Sequence, residues 1–408
     1  MTETVPNELA DQEFPVARGC PFAEPEAYAR LREREPISRV RLRGGEQAWW
    51  VSGYAESRAV MADRRFSSDR RRDNYPNPGG DPRFRERFRH QRPPMVSLDG
   101  AEHTAARRAV IGEFTVKRLA ALRPRIQEIV DGFIDEMLAA ESHPVDLVRT
   151  LSLPVSSLVI CELLGVPYAD HDYFQSCAAA LTRRTASPEE RLRGADGLRT
   201  YLADLLTRKE AEPGDDLFSR QIAQQREEGA LDREGLVSTA NSLLLAGHET
   251  TANMISLGVL ALLEHPDQLA LIQDDPDKTL LAVDELLRYL TIADSVILRV
   301  ATEDVEIGGV TVKADEGVVV CGLSANRDPA AFENPGELDV LRGARHHIAF
   351  GYGPHQCLGQ NLARLELRIV FDTLFRRIPG LRLAEPVDAV PFKVNASVYG
   401  AHELPVTW

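Results

Sequence analysis

Hydrophobic residues recur at three- and four-residue steps through most of the chain, which is the pattern of amphipathic helices. The segment from Thr115 to Ala140 is a long example. Alternation typical of strands is confined to ISRVRL near the start, to DVEIGGVTVKADEGVVV with its Gly-Gly turn, and to a hairpin-like KVNASVYGAHELPVTW at the end. The pattern therefore predicts a mainly α fold with smaller β-sheets.

One predicted helix is apolar on every side. It begins near Asp232, a residue type that caps helix N-termini, and it ends at His265-Pro266 because proline cannot continue a helix. About 30 residues at 1.5 Å each make a rod of roughly 45 Å. Since leucine, isoleucine, valine and methionine occupy all its faces, the helix is expected to be buried along most of its length.

The polar residues of this helix form the motif AGHETT, from Ala246 to Thr251. Gly247 weakens a helix by about 1 kcal/mol relative to alanine, and threonine hydroxyls compete for backbone carbonyls, so a local bulge is expected. A buried carboxylate such as Glu249 is costly unless it is paired, protonated or hydrated. The motif is either a satisfied polar cluster in the core or a carboxylate and an alcohol that relay protons into a closed pocket.

A cysteine stands among three glycines in FGYGPHQCLGQ, from Phe350 to Gln360. The chain has five cysteines and no C-x-x-C pair, which argues against a disulfide framework and against a cysteine-rich zinc site. Two roles stay open for Cys357, catalytic nucleophile and axial ligand of an iron cofactor. A nucleophile would need a base, for which His355 is a candidate.

Composition limits the function of the whole chain. Its 408 residues are 43% hydrophobic and 27% charged, and no linker divides them, so one domain over residues 1–408 is expected, with about residues 1–18 poorly ordered. A net charge of −14 argues against a nucleic-acid binder. The acidic, proline-broken N-terminus lacks signal-peptide features, and no apolar run reaches about 18 residues, so a cytoplasmic protein without a membrane span is expected.

Three motifs occur in a fixed order along the chain: AGHETT, ELLR (Glu285 to Arg288) and F-x-x-G-x-x-x-C-x-G ending at Gly359. Their order and spacing resemble those of the cytochrome P450 monooxygenases, specifically the soluble bacterial enzymes of the actinomycete-type class I. The resemblance covers nearly the whole chain and includes SLDGAEHTAARRAV and SANRDPAAFENP. It implies the P450 fold, heme b (iron protoporphyrin IX) as cofactor, and Cys357 as the axial ligand of the iron.

The resemblance also assigns a set of haem-binding residues. They are His103, Arg107, Ala246, Arg299, Phe350, Gly353, His355, Cys357, Leu358, Gly359 and Ala363. Within this set, the two histidines and two arginines are expected to hold the haem propionates. The residue chemistry agrees, because a thiolate just ahead of a helix is favoured by the helix dipole, and glycines let the backbone approach a flat porphyrin.

By the same resemblance the reaction is the hydroxylation or epoxidation of a bulky lipophilic secondary metabolite or xenobiotic, with dioxygen and two electrons. Glu249 and Thr250 are the expected catalytic residues and deliver protons. Glu285 and Arg288 are expected to be structural and to bond to the segment around residues 332–342. The residues expected to contact substrate are Ser242, Leu245, Ala246, Ser295, Val296 and Val398.

Because no G-x-G-x-x-G follows a strand, electrons are expected to come from another protein. The resemblance implies that this donor is a ferredoxin with its ferredoxin reductase, and that NADH or NADPH is the ultimate donor. Arg108, Arg345 and Arg364 are candidate docking cations, and a monomer is expected. Two other functions remain. A non-oxidising haem-thiolate sensor or auxiliary partner protein has no need of Glu249 and Thr250, and a cysteine hydrolase would need a base and an orienting group around Cys357.

Arginines crowd together between Arg64 and Arg92. They form either a solvated face and loop or a basic lip that binds an acidic group of the substrate. In the second case an inward-pointing arginine would need an anion. The candidates are Arg71, Arg72, Arg85 and Arg87.

Overall fold

The structure, a computed structural model, describes residues 12–78, 92–182, 186–394 and 396–408. The chain divides into two compact units. The first, termed the sheet unit, comprises Met1–Thr104 and Asp284–Cys357, and the second, termed the helix unit, comprises Ala105–Val283 and Leu358–Trp408. That residues 1–408 act as a single domain stays a prediction.

Helices and strands are numbered along the described chain. The helices are α1 Glu26–Arg34, α2 Tyr54–Ala62, α3 Gly100–Ile111, α4 Val116–Leu138, α5 Leu153–Leu164, α6 His171–Thr182, α7 Pro188–Ala211, α8 Leu217–Glu227, α9 Arg233–Glu264, α10 Pro266–Asp274, α11 Thr279–Leu290, α12 Gly322–Ala325 and α13 Gln360–Arg377. The strands are β1 Glu13–Phe14, β2 Ile37–Leu42, β3 Gln47–Val51, β4 Phe66–Ser67, β5 Val145–Asp146, β6 Ile297–Ala301, β7 Val305–Ile307, β8 Val310–Val312, β9 Gly317–Val320, β10 Arg382–Leu383 and β11 Pro405–Thr407. The mainly α fold with smaller sheets is confirmed.

The sheet unit is built on a six-stranded sheet of order β1-β2-β3-β9-β6-β4. Only the β1/β2 and β3/β9 pairs are parallel. The predicted strand ISRVRL is β2, and the predicted Gly-Gly turn joins β7 and β8, with both glycines at positive φ. Although residues up to 18 are expected to be poorly ordered, Phe14 packs on Tyr28 and Trp50, and the Arg18 guanidinium donates to the Leu290 carbonyl at 2.6 Å.

Within the sheet unit, Arg288 and Glu285 form an ion pair with no solvent exposure. Two guanidinium nitrogens of Arg288 donate to the two carboxylate oxygens at 2.7 and 2.8 Å, and a third donates to the carbonyls of Asn326 and Pro335 at 2.9 Å. Glu285 also accepts from the backbone N–H of Asp339 at 3.1 Å. Since both charges are satisfied, the pair can remain buried and fix the irregular segment from residue 326 to 342.

The helix unit is organised around α9. Asp232 caps its N-terminus by accepting from the Gly235 N–H at 2.9 Å, and the helix ends at Glu264 before Pro266, as the sequence predicts. α9 packs against α5, α7 and α13, and most of its second half is fully buried. The expected bulge is wrong: the helix stays α-helical through AGHETT, because the Thr250 hydroxyl donates to the Ala246 carbonyl at 2.7 Å without interrupting the backbone ladder.

The C-terminal segment also belongs to the helix unit. Phe392 bridges Ala401, which closes the first part of the predicted hairpin. The last strand, β11, pairs instead with β10 and β5 in a separate three-stranded sheet. Among the described residues no single helix is long and apolar enough to cross a membrane; α9 and α10 meet that test only as a pair bent by 105°.

A carboxyl group lies in the core of the helix unit. Glu366 of α13 is 2% exposed, and Ser156 of α5 donates to its Oε1 at 2.8 Å. Burial raises the pKa of Glu366 from 4.5 to about 8, because removal from water disfavours the charged form more than the serine bond favours it. The group is therefore protonated at neutral pH.

Glu366 should make the folding stability depend on pH. Because its pKa is higher in the folded than in the unfolded chain, its contribution is complete below about pH 4.5 and is lost as pH rises through about 8. Urea unfolding of Glu366→Gln should show a stability difference from wild type that grows, in favour of the variant, by up to about 1.4 kcal/mol per pH unit in this window. The exposed Glu403→Gln is the control, and a difference that stays constant with pH would contradict the assignment.

Candidate functional site

Cys357 lies at the end of a glycine-rich loop of the sheet unit. The Gly353–His355 segment is a single 3₁₀ turn, and the Cys357 N–H donates to the Phe350 carbonyl at 2.8 Å. Gly353 has φ +73°, and a Cβ there would stand 2.7 Å from the carbonyl oxygen of Met61 at the end of α2. Only glycine fits this position. The loop so held leaves Cys357 exposed.

Two expected propionate ligands lie together in the sheet unit. The rings of His103 and His355 are 4.0 Å apart, and His103 is buried. The Ser68 hydroxyl is 3.1 Å from His355 Nε2, and Asp99 Oδ1 is 4.0 Å from the same nitrogen. Sequence reasoning did not single out Ser68 or Asp99, although Asp99 stands inside the SLDGAEHTAARRAV segment that carries the family resemblance.

Arg299 of β6 is a buried cation, 7% exposed. Its Nη1 donates to the Leu298 carbonyl at 2.8 Å, and within the described residues no carboxylate lies within ion-pair distance. Burial lowers the pKa of Arg299, with Tyr75 and Asp99 acting in the opposite direction and Arg70 in the same one. A buried guanidinium is stable only beside an anion, so this site is suited to an external acidic group.

In the helix unit, three expected substrate contacts share one face of α9. Ser242, Leu245 and Ala246 are spaced by three and four residues, so they lie along the same stripe. Ala246 is exposed in the middle of an otherwise buried helix, and Ser242 and Leu245 are partly exposed. Val398, on the C-terminal segment, is also partly exposed. This stripe is therefore a part of α9 that the rest of the helix unit leaves partly uncovered.

Glu249 is paired, which is one of the three conditions expected for a buried carboxylate. Lys393 Nζ donates to its Oε1 at 3.1 Å and to Asn253 Oδ1 at 3.0 Å. The side chains of Glu249 and Lys393 are 16% and 12% exposed. Sequence reasoning missed Lys393 and Asn253, because a partner 144 residues away leaves no local pattern.

His248, at the variable position of AGHETT, faces the core. It is 5% exposed, its ring meets Phe174 edge-on at 5.8 Å between centroids, and neither ring nitrogen has a hydrogen-bond partner in the described chain. Burial lowers the pKa of His248 to about 4. The imidazole is therefore neutral at physiological pH.

The other expected haem ligands lie near the ends of α3 and α13. Arg107 stands four residues after His103 on α3, and Leu358 and Gly359 precede α13, on which Ala363 lies. A Cβ built on Gly359 would meet no atom within 4 Å, so the space beside its backbone is open.

Two expected substrate contacts in the sheet unit differ in exposure. Val296 is 43% exposed. Ser295, in contrast, is buried, and its hydroxyl donates to Asp294 Oδ1 at 2.8 Å. The position of Val296, rather than that of Ser295, suits direct contact with a ligand.

Most of the described arginines of the Arg64 to Arg92 stretch have local partners or face solvent, whereas Arg70 is half-buried. Arg65 and Arg71 bond Asp63 and Asp69 at 2.6 and 2.8 Å, with side chains 46% and 43% exposed. Arg72 donates to the Ser67 hydroxyl at 3.1 Å and lies 3.9 Å from Asp315. These contacts favour the solvated face over the basic lip. Arg85 and Arg87 lie outside the described residues.

The residues of each unit fit a haem. In the sheet unit an exposed cysteine follows a tightly turned loop, and a buried guanidinium and two adjoining imidazoles offer donors for carboxylates. In the helix unit the open side of Gly359 and the exposed Ala246 leave apolar surface bare, which a flat macrocycle can cover.

Comparisons with known proteins agree on one family. The profile described as Cytochrome P450 matches residues 199–379. The chain is 51% identical over 408 residues to pentalenic acid synthase of Streptomyces avermitilis, with 100% of both chains covered, and 47% identical to vitamin D3 dihydroxylase of Streptomyces griseolus, with 100% of this chain and 99% of the relative covered. The crystal structure of cytochrome P450 MoxA (CYP105) from Nonomuraea recticatena superposes with a TM-score of 0.92 at 68% identity, covering 97% of this chain and 98% of that one.

Replacing Cys357 tests the iron ligand directly. Cys357→Ser should abolish the red-shifted Soret band of the ferrous-CO complex, because that band reports a thiolate ligand, while far-ultraviolet circular dichroism stays helical. Cys20→Ser is the matched control, since Cys20 is also exposed and should leave the band intact. A Cys357→Ser protein that keeps the band would exclude this cysteine as the ligand.

Proposed function

Since the chain belongs to the cytochrome P450 family and is a haem-binding monooxygenase, we propose that it hydroxylates or epoxidises a bulky lipophilic small molecule. The reaction takes place in the cytoplasm, and its electrons come from a ferredoxin. The observation that carries the substrate class is the exposed stripe Ser242, Leu245 and Ala246 on α9, which is apolar or small. Secondary metabolites and xenobiotics fit it, and both named relatives carry the names of enzymes of lipophilic molecules.

The haem would be held by Cys357 at the iron and by His103, Arg107, Arg299 and His355 at the propionates. A thiolate-ligated haem activates dioxygen, because electron density from sulfur favours cleavage of the O–O bond. Arg299 supports this assignment, since its buried charge needs an anion that the described protein does not supply. Glycines 353 and 359 keep the backbone close to the cofactor.

Glu249 and Thr250 would deliver protons. The Thr250 hydroxyl already donates to the Ala246 carbonyl at 2.7 Å, so its oxygen lone pairs are free to accept a proton donor and its orientation is fixed. Glu249, one residue earlier and partly exposed, links the helix to solvent. The neutral His248 between Gly247 and Glu249 contributes no charge to this relay.

The relay favours an oxidising enzyme over a haem-thiolate sensor or auxiliary protein. A sensor needs a ligand and an iron but no proton supply, so nothing would require a partly buried carboxylate and an oriented hydroxyl in an apolar helix. A cysteine hydrolase is excluded by family membership.

The electron donor is proposed to dock through exposed cations. Arg108 of α3 is exposed, and Arg345 is exposed although its Nε lies 3.7 Å from Asp284. Arg364 of α13 is partly exposed. Because the chain as a whole carries −14, an acidic ferredoxin would be repelled except where exposed cations offset the negative charge locally. A monomeric enzyme is part of the same proposal.

Charge reversal tests the docking cations. Arg108→Glu should raise the KM for a plant-type ferredoxin by about tenfold at low salt, and the difference from wild type should shrink as salt screens the charges. Arg30→Glu reverses an exposed arginine of α1 that pairs with Glu26 and is the control. Equal KM values for all three proteins would remove Arg108 from the interface.

Thr250→Ala tests the relay. NADPH should still be consumed with a lipophilic probe such as 7-ethoxycoumarin, but product per NADPH should fall by about tenfold while hydrogen peroxide rises, because proton delivery limits productive turnover. Thr207→Ala removes a hydroxyl that bonds the carbonyl four residues back in the same way, on α7, and should change neither ratio. Undiminished coupling in Thr250→Ala would count against the relay.

A further inference from the structure

The C-terminal segment reaches α9 through one lysine. Lys393 Nζ donates to Glu249 and to Asn253, whose oxygens are 3.1 and 3.0 Å away. Glu249 and Asn253 are four residues apart, so they lie on one helix face in successive turns. A single ammonium group therefore bridges two successive turns of α9.

The position of this lysine is fixed by its surroundings. Its backbone N–H donates to the Gly400 carbonyl at 2.7 Å, and the flanking rings of Phe392 and Tyr399 stack 5.6 Å apart. Asn253 is 1% exposed and packs on Gly400, where a Cβ would come within 2.3 Å of the Asn253 side chain. The lysine is consequently held from both arms of the 392–401 turn.

The contact orients the Glu249 carboxylate. Lys393 engages Oε1, and within the described residues Oε2 receives no hydrogen bond. The neighbouring imidazole of His248 is neutral, so Lys393 supplies the positive charge at this point of the helix unit. One oxygen is thus held and the other remains available to a proton donor or acceptor.

We propose that Lys393 is a positioning residue for proton delivery, which holds Glu249 in the orientation that Thr250 requires and ties that orientation to the segment that carries Val398. Val398, a proposed substrate contact, stands five residues after Lys393 in the same segment. The inference rests on the relay proposed above for Glu249 and Thr250.

A merely structural ion pair makes a different prediction. Loss of a contact that only fastens the 392–401 turn would loosen Val398 and weaken substrate binding, and it would leave the ratio of product to NADPH unchanged. Loss of a positioning residue lowers that ratio at saturating substrate. The two roles therefore separate in the dissociation constant and the coupling ratio.

The test compares Lys393→Met, Lys393→Arg, Glu249→Gln and the Lys393→Met/Glu249→Gln double variant, all as holoproteins reduced by a plant-type ferredoxin and its reductase. With 7-ethoxycoumarin as probe, Lys393→Met should lower product per NADPH at least threefold and raise peroxide equally, whereas Lys393→Arg should keep most of the coupling. The double variant should be no worse than Glu249→Gln. Lys313→Met, which breaks the exposed Lys313–Asp304 pair, is the control.

A second readout does not depend on turnover. If Lys393 acts through Glu249, the shifts in melting temperature of the two single variants should be non-additive in the double variant. If Lys393→Met yields too little holoprotein, Lys393→Gln serves in its place, since it keeps a donor and removes the charge.

Three outcomes would overturn the inference. Normal coupling in Lys393→Met, with Glu249→Gln impaired, removes Lys393 from the relay and leaves the proposed function intact. Additive effects in the double variant show that Lys393 does not act through Glu249. Normal coupling in both Lys393→Met and Glu249→Gln removes the relay itself, and the positioning role with it.

Discussion

A charge placed on an apolar helix constrains the helix unit. α9 is enclosed along most of its length, and the Glu249 carboxylate, with its side chain 16% exposed, is costly there unless it has a partner. The chain meets this constraint with a lysine from a segment 144 residues further on. The path of the C-terminal segment is consequently linked to the chemistry of Glu249, because Lys393 can reach the carboxylate only when that segment packs against α9.

The sheet unit meets the same constraint differently. The Glu285–Arg288 pair has no exposure, and it also bonds to backbone groups and to the Arg342 guanidinium of the segment from residue 326 to 342. That segment has little regular structure of its own, so a saturated ion pair replaces the hydrogen bonds of a helix or a sheet. Arg299 is the contrast, a buried cation with no carboxylate of the described residues within ion-pair distance, and this difference supports its proposed role as a propionate ligand.

The sequence allowed prediction of whatever depends on local pattern. The ends of α9 followed from a cap residue and a proline, and β2, β7 and β8 followed from alternation around known turn residues. Cys357 could be singled out because glycines and a cysteine at fixed spacing occur in few contexts.

Contacts between distant segments could not be predicted. Lys393 and Asn253 stand in unremarkable sequence, and the pairing of β11 with β10 and β5 depends on strands of two or three residues that carry no periodic signal. The bulge expected in α9 failed because a threonine hydroxyl can bond a carbonyl that is already part of the helical ladder.

Glu366 gives the helix unit an internal spectroscopic reporter. A protonated carboxyl group absorbs in the infrared at a carbonyl frequency well separated from those of ionised carboxylates and of the peptide backbone. Among the described residues its hydrogen-bond partner is the Ser156 hydroxyl on α5, so the frequency of this band senses the distance between α5 and α13. Vibrational difference spectra could then follow the packing of the core during ligand binding or reduction without any added label.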